Sequence, residues 1–168
     1  TTLFTVHNMA YQGQFWHWDM LLTGLDWKHF NWQQMEYHGK LNLLKTGIAF
    51  AQTISAVSPR YALEIQHEPM GCGLAGALRD RQDVLKGVIN GIDDQAWNPS
   101  TDPSLVATYD VHTWRTGKAA NKQFLQQKFG LEQRADLPLI GSVGRLVSQK
   151  GWELILKILP QWLRSQEA

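Results

Sequence analysis

The stretch that most limits the possible folds is Leu139-Ile-Gly-Ser-Val-Gly-Arg145-Leu-Val-Ser-Gln-Lys150-Gly151, followed by an amphipathic run over residues 152–163. Residues 139–143 form a short apolar run suited to a buried parallel strand. Trp152, Ile155, Leu156, Leu159, Trp162 and Leu163 then recur at helical spacing on one face. The pattern is strand, turn, helix, and it puts Arg145 and Lys150 in the turn. In an open α/β sheet, ligands bind at the carboxyl ends of strands, where the next helix offers unpaired N–H groups and a positive dipole end. A guanidinium that grips oxygen pairs bidentately and an ammonium point charge suit such a turn to a phosphate or diphosphate. The same cations also fit ordinary solvated turn residues, and the turn alone leaves both readings open.

Three other stretches stand upstream in a fixed order. They are Thr5-Val-His7-Asn8-Met-Ala-Tyr11-Gln12-Gly13, Ala56-Val-Ser58-Pro59-Arg-Tyr61-Ala, and Val88-Ile-Asn90-Gly91-Ile-Asp93 with Trp97-Asn-Pro99 behind it. With Arg145-Leu-x-x-Gln-Lys150-Gly151 they make four ordered segments, and together these resemble the bacterial glycogen synthase and plant starch synthase family. The likeness runs from the first residue to the last. It implies an α/β chain of the GT-B fold, two doubly wound parallel-sheet domains that this chain only partly covers. Residues 1–96 would be the C-terminal part of the N-terminal, acceptor-side domain. Residues 97–112 would be the linker, and residues 113–168 the start of the nucleotide-sugar-binding domain.

Composition bounds the partners. The 168 residues carry 16 basic and 15 acidic side chains, a formal net charge of +1, so a phosphate ligand is met by placed residues and not by a general field. No nucleic-acid partner follows from that balance. Cys72 is the only cysteine, which excludes an internal disulfide and agrees with a reducing compartment. No apolar run is long enough to span a bilayer. The chain opens straight into Thr1-Thr-Leu-Phe-Thr-Val without a methionine, and it reads as an internal fragment.

Residues 1–6 alternate as a strand with β-branched content, and His7 stands at its end. Residues 15–37 hold Phe15, Trp16, Trp18, Trp27, Phe30, Trp32 and Tyr37, read as an insertion packed onto the domain, with a sugar-stacking surface as the other reading. Leu41, Leu44, Ile48 and Ala51 predict a helix face, and residues 53–57 a short buried strand. Ser58 followed by Pro59 predicts a capped helix start with Tyr61, Ala62 and Ile65 inward. Residues 68–76 read as a glycine-rich loop. Residues 84–89 read as a strand interrupted by Lys86-Gly87, delivering Asn90 and Gly91 to the His7 edge if the strands are parallel. The Asn-Gly pair also favours a turn. Two prolines among short polar residues mark a boundary near residues 97–104, and a helix over residues 113–130 follows, with Pro160 predicted to kink or end the last one.

By resemblance, the reaction is transfer of glucose from ADP-glucose to the non-reducing end of an α-1,4-glucan with retention, without a metal or other cofactor. Arg145 and Lys150 would hold the diphosphate, and His7 would lie against the donor sugar. Asn90, Gly91, Asn8, Tyr11 and Gln12 would line the substrate site. The compartment implied is the bacterial cytoplasm, or the plastid in a plant, and the oligomeric state stays open. Two family features are missing from these 168 residues: a lysine-glycine-glycine donor loop and a glutamate pair eight residues apart. The fragment alone is therefore expected to be inactive. Rival readings are another sugar-nucleotide glucosyltransferase of the same fold, such as a sucrose synthase, and a non-catalytic glucan-binding module. A dehydrogenase is disfavoured, because no glycine fingerprint follows a strand and opens a helix.

Overall fold

The computed structural model describes residues 1–165, which form two compact units, the first spanning Thr1–Ile92 and the second starting at Asp93. In chain order the first unit runs β1 (Leu3–Val6), β2 (Gln14–Trp16), β3 (Glu36–Tyr37), β4 (Lys40–Asn42), α1 (Leu43–Phe50), β5 (Thr53–Ala56), α2 (Pro59–Glu64), α3 (Ala75–Arg79) and β6 (Leu85–Gly87). Strands β1, β5 and β6 lie side by side in that order, all parallel, with Val6 opposite Ala56 and Ala56 opposite Gly87. The central strand β5 is covered on both faces, its consecutive Ile54, Ser55 and Ala56 all buried, while Val6 of β1 and Leu85 of β6 are buried beside it. Ile48 from α1, Ala62 from α2 and Leu78 from α3 complete this core. Each fully buried aliphatic side chain of this kind contributes roughly 1.5–3 kcal/mol.

The helix predicted from Leu41 starts two residues later. Leu41 belongs to β4 and is buried with Met20 and Met35 in a second, smaller core. Asn42 makes the break: its backbone is extended, and its side-chain oxygen accepts the Lys45 N–H at 2.9 Å as an N-cap. Ser58 does the same for α2, accepting from the Tyr61 N–H at 2.9 Å with Pro59 behind it, as its sequence predicts.

The tryptophan-rich insertion is built on a small antiparallel sheet in the order β2-β4-β3, with short 3₁₀ helices at His17–Thr23 and Trp27–His29 between β2 and β3. Its rings pack largely on one another: Trp18 meets Trp27 edge-on at 5.5 Å, and Trp27 meets Phe30 at 5.6 Å. Lys45 of α1 ties the insertion down by donating to the carbonyls of Trp32 and Glu36. Burial lowers the pKa of this lysine, and neighbouring Glu36 partly offsets the effect.

The second unit opens with a run of side-chain-capped turns. Asp93, Asn98, Asp102 and Asp110 each accept backbone N–H groups two or three residues on. These turns lead to α4 (Trp114–Lys128), where Asn121 accepts the Val106 N–H at 3.0 Å and donates to the Ala107 carbonyl at 2.6 Å. Tyr109 packs on Gly117 of α4 so closely that an added Cβ would lie 2.5 Å from the Tyr109 Cβ.

Two expectations fail in the second unit. Residues 139–143 are not a strand: among the described residues this unit contains none, so their N–H and C=O groups find no ladder, and Val143 is fully exposed. Helix α5 (Trp152–Ser165) forms as its periodicity predicts but runs on through Pro160, and Ile155, Leu156, Trp162 and Leu163 are exposed. Periodicity shows which face is apolar; burial of that face takes a neighbour. Among the described residues, no helix is long and apolar enough to cross a membrane.

Candidate functional site

In the first unit, the parallel register brings the carboxyl ends of β1, β5 and β6 to one edge. His7 leaves β1 there and is exposed. Val88 prolongs the pairing by donating to the Ala56 carbonyl at 2.8 Å, and exposed Asn90 and Gly91 follow without forming a turn. His7 and Asn90 thus emerge at the same edge, as the parallel arrangement requires.

Residues 7–13 form a loop folded on itself. Asn8 Oδ1 accepts the Ala10 N–H at 3.0 Å, the Asn8 carbonyl accepts the Tyr11 N–H at 3.3 Å, and the Met9 N–H donates to the Tyr61 hydroxyl at 3.0 Å. Met9 is buried in the main core, which anchors the loop from below, and Tyr11 is 58% exposed. A surface concavity of about 450 Å³ is lined by residues 10–14. Gln12 differs from its neighbours. It is only 7% exposed, and both ends of its amide are engaged within the protein.

In the second unit, Arg145 and Lys150 flank a tight turn. The Arg145 carbonyl accepts the Val147 N–H at 3.0 Å, and residues Ser148–Lys150 form one turn of 3₁₀ helix, closed by Lys150 N–H donating to the Val147 carbonyl at 2.9 Å. Gly151 ends this turn at φ 71°, a conformation other residues resist, and α5 begins at the next residue. Both cations are exposed. The Trp152 indole N–H donates to the Arg145 carbonyl at 2.8 Å, bracing the turn against the helix. Ser148 Oγ donates to Glu153 Oε1 at 2.8 Å. The Glu153 carboxyl lies below its usual range because its own backbone N–H, then the Ser148 hydroxyl, bind its charged form. A concavity of about 580 Å³ is lined by Leu146, Val147, Ser148, Trp152, Glu153 and Leu156.

Sequence reasoning counted Trp152 as one more apolar helix residue and missed its indole bond. It also missed the engagement of Gln12 with residues far along the chain. Neither leaves a local signal, since each is a contact that only the fold brings about.

The groove between α1 and α3, about 530 Å³, is lined by Trp32, Tyr37, Lys45, Asp80 and Arg81 among others. It contains none of the predicted site residues. Its cations already serve the fold, Lys45 as described and Arg81 by donating to the carbonyls of Ile48, Ala49 and Ala51. Among the described residues, no group of three or more His, Cys, Asp or Glu side chains is arranged to hold a metal ion.

Comparison with known proteins bears directly on this geometry. The solved catalytic domain of Starch Synthase IV from Arabidopsis thaliana, bound to ADP and acarbose, matches with a TM-score of 0.87 at 34% identity, over 96% of this chain and 34% of its own. That match, with the parallel sheet and its helices, defines a GT-B fold of which this chain is a part. The family model of the starch synthase catalytic domain matches residues 1–80. The glycogen synthase of Rhodopirellula baltica is 49% identical over 162 residues, covering 96% of this chain and 32% of that protein. The glycogen synthase of Albidiferax ferrireducens is 46% identical over 158 residues, covering 94% and 32%. The chain belongs to the glycogen synthase and starch synthase family. It spans about a third of the length of these relatives.

Proposed function

We propose that this chain is part of a retaining glucosyltransferase that moves glucose from ADP-glucose to the non-reducing end of an α-1,4-glucan. The observation that carries the reading is the braced turn presenting Arg145 and Lys150 ahead of α5. Two cations on a fixed frame grip a diphosphate and stabilise the charge that develops on it as the glucosyl bond breaks. Positive side chains in this role replace a divalent metal, and the proposed reaction uses no cofactor. His7, at the end of β1, orients the glucosyl unit. Half-buried Asn8 and exposed Tyr11, Asn90 and Gly91 offer amide, hydroxyl and backbone groups to sugar hydroxyls. The relatives' names and the ADP and acarbose bound to the plant enzyme support this choice of donor and acceptor.

We also assign residues 1–96 to the acceptor-side domain, residues 97–112 to the linker and residues 113–168 to the nucleotide-sugar-binding domain. For a bacterial protein the reaction belongs in the cytoplasm, where ADP-glucose and glucan meet.

The test is glucose incorporation into glycogen by the full-length protein with ADP-glucose and, separately, UDP-glucose. Arg145→Ala and Lys150→Ala should each lower kcat by about 10²–10³, the loss typical of removing one charge-stabilising donor. Full activity in both variants would sink the reading. A preference for UDP-glucose would move the protein to another donor class within the fold.

A further inference from the structure

Gln12 lies on the loop that carries His7, Asn8 and Tyr11, yet its side chain points away from solvent and crosses the chain twice. Its Oε1 accepts from Asn42 Nδ2 at 2.7 Å and from Gln14 Nε2 at 3.0 Å, and its Nε2 donates to the Cys72 carbonyl at 2.8 Å. Asn42 is fully buried and caps α1 with its other amide atom. Cys72 sits in the glycine-rich turn at φ 49°, beside Gly73 at φ 85°. The backbone of the same segment serves α1, whose Leu43 and Leu44 N–H groups donate to the carbonyls of Gly13 and Gln12 at 3.1 and 2.9 Å. One residue therefore joins the His7 loop, the insertion sheet, the start of α1 and the turn at residues 71–73.

The polarity of the network permits one orientation of the amide. Two N–H donors face Oε1 and a carbonyl faces Nε2, so a flipped amide would set donors against donors and oxygen against oxygen. An amide fixed in this way holds the distance between the loop and the glycine-rich turn.

We propose that Gln12 is a positioning residue for the glucosyl-transfer reaction: it touches no substrate, and it holds the loop bearing His7 in its productive place by bonding Asn42 on one side and Cys72 on the other. The inference rests on the glucosyltransferase reading above. A displacement of about 1 Å in a substrate-positioning loop is enough to cost around a hundredfold in rate.

The experiment compares Gln12→Met and Gln12→Glu with the unmutated full-length protein, well below the melting temperature of each. Gln12→Met keeps the length and removes every side-chain hydrogen bond. It should lower kcat about 10- to 100-fold while the KM for ADP-glucose stays within about threefold. An unchanged kcat with a lowered Tm would make Gln12 merely structural, and a rise in donor KM with kcat intact would make it a direct ligand; either overturns the proposal. Gln12→Glu gives a second reading if the methionine variant does not fold. Protonated, a carboxylic acid donates to the Cys72 carbonyl and accepts from Asn42 and Gln14 as the amide does; ionised, it sets an oxygen against that carbonyl. Its kcat relative to wild type should therefore rise as pH falls from about 8 to about 6. Taking the ratio at each pH removes titration shared by both proteins, including that of His7 on the loop, Glu68 and Cys72 on the facing turn, and Lys40 and Lys45 beside Asn42. A flat ratio overturns the proposal. If the unmutated protein transfers no glucose, the glucosyltransferase reading itself has failed and the proposal falls with it.

Discussion

The indole N–H of Trp152 donates to the backbone carbonyl of Arg145 at 2.8 Å, so the first residue of α5 holds the turn that presents the arginine. Trp152→Phe keeps a ring at this half-buried position and removes the bond, which is worth about 1 kcal/mol. The helix should persist, and the full-length protein should lose roughly 3- to 10-fold in kcat/KM for the sugar nucleotide as the turn loosens. Steady-state kinetics with the donor varied measure this. Unchanged values would mean that the Val147 N–H alone fixes the Arg145 carbonyl.

Two glycines near the first-unit edge should respond in opposite ways. A Cβ on Gly87 would fall on the backbone of Pro59 and 2.5 Å from the Ser58 carbonyl, where no side chain can move aside. Gly87→Ala should destabilise by about 3 kcal/mol or more, seen as a large drop in Tm. A Cβ on Gly91 meets nothing within 4 Å, so Gly91→Ala should change stability by less than about 0.5 kcal/mol. Any loss of activity in the Gly91 variant then reports on the site and not on folding.

Arg81 closes the end of α1 with charge-assisted bonds to the carbonyls of Ile48 at 3.0 Å and Ala49 at 2.6 Å, and to that of Ala51. Arg81→Ala leaves several carbonyls without their donor and should cost about 3 kcal/mol. Arg81→Lys should recover only part of this, because an ammonium lacks the planar fork. Thermal unfolding of the two variants should rank them wild type, lysine, alanine; equal values for lysine and arginine would refute the role given to the fork.

Glu153 provides a pH test of the turn. Its folded-state pKa is depressed by its own backbone N–H and by the Ser148 hydroxyl. A depressed carboxyl contributes stability above its unfolded pKa and loses that contribution as pH falls through the folded value. Ser148→Ala should move the Glu153 pKa back up towards its ordinary range, followed by NMR titration of its side chain. No movement would place the cause elsewhere, in the helix N-terminus.

What the sequence by itself determined was local and periodic. Ser58 before Pro59 specifies a capped helix start, because the hydroxyl and the fixed proline φ act within four residues. The spacing of Trp152, Ile155 and Leu159 specifies α5, alternation with β-branched residues specifies β1, and the short stretches at residues 53–57 and 84–89 point to β5 and β6. Three parallel strands in turn place His7 and Asn90 at one edge. The order of the four motifs pointed to the family before any coordinate.

Tertiary structure decided everything that depends on a partner distant in sequence. Leu41 has the spacing of α1, yet pairing with β2 and β3 claims it for a strand. Residues 139–143 have a strand's composition, but a strand exists only with a neighbour to bond. Gly87 looked like an interruption of β6, whereas it is the position where the start of α2 lies against the strand. Gln12 is expected by resemblance to line the substrate site, and bonds to Asn42 and Cys72, 30 and 60 positions away, turn its side chain inward. Propensity, capping and periodicity act over a few residues and can be read along the chain. Burial and the direction of a buried amide depend on which surfaces meet, and only the folded chain fixes that.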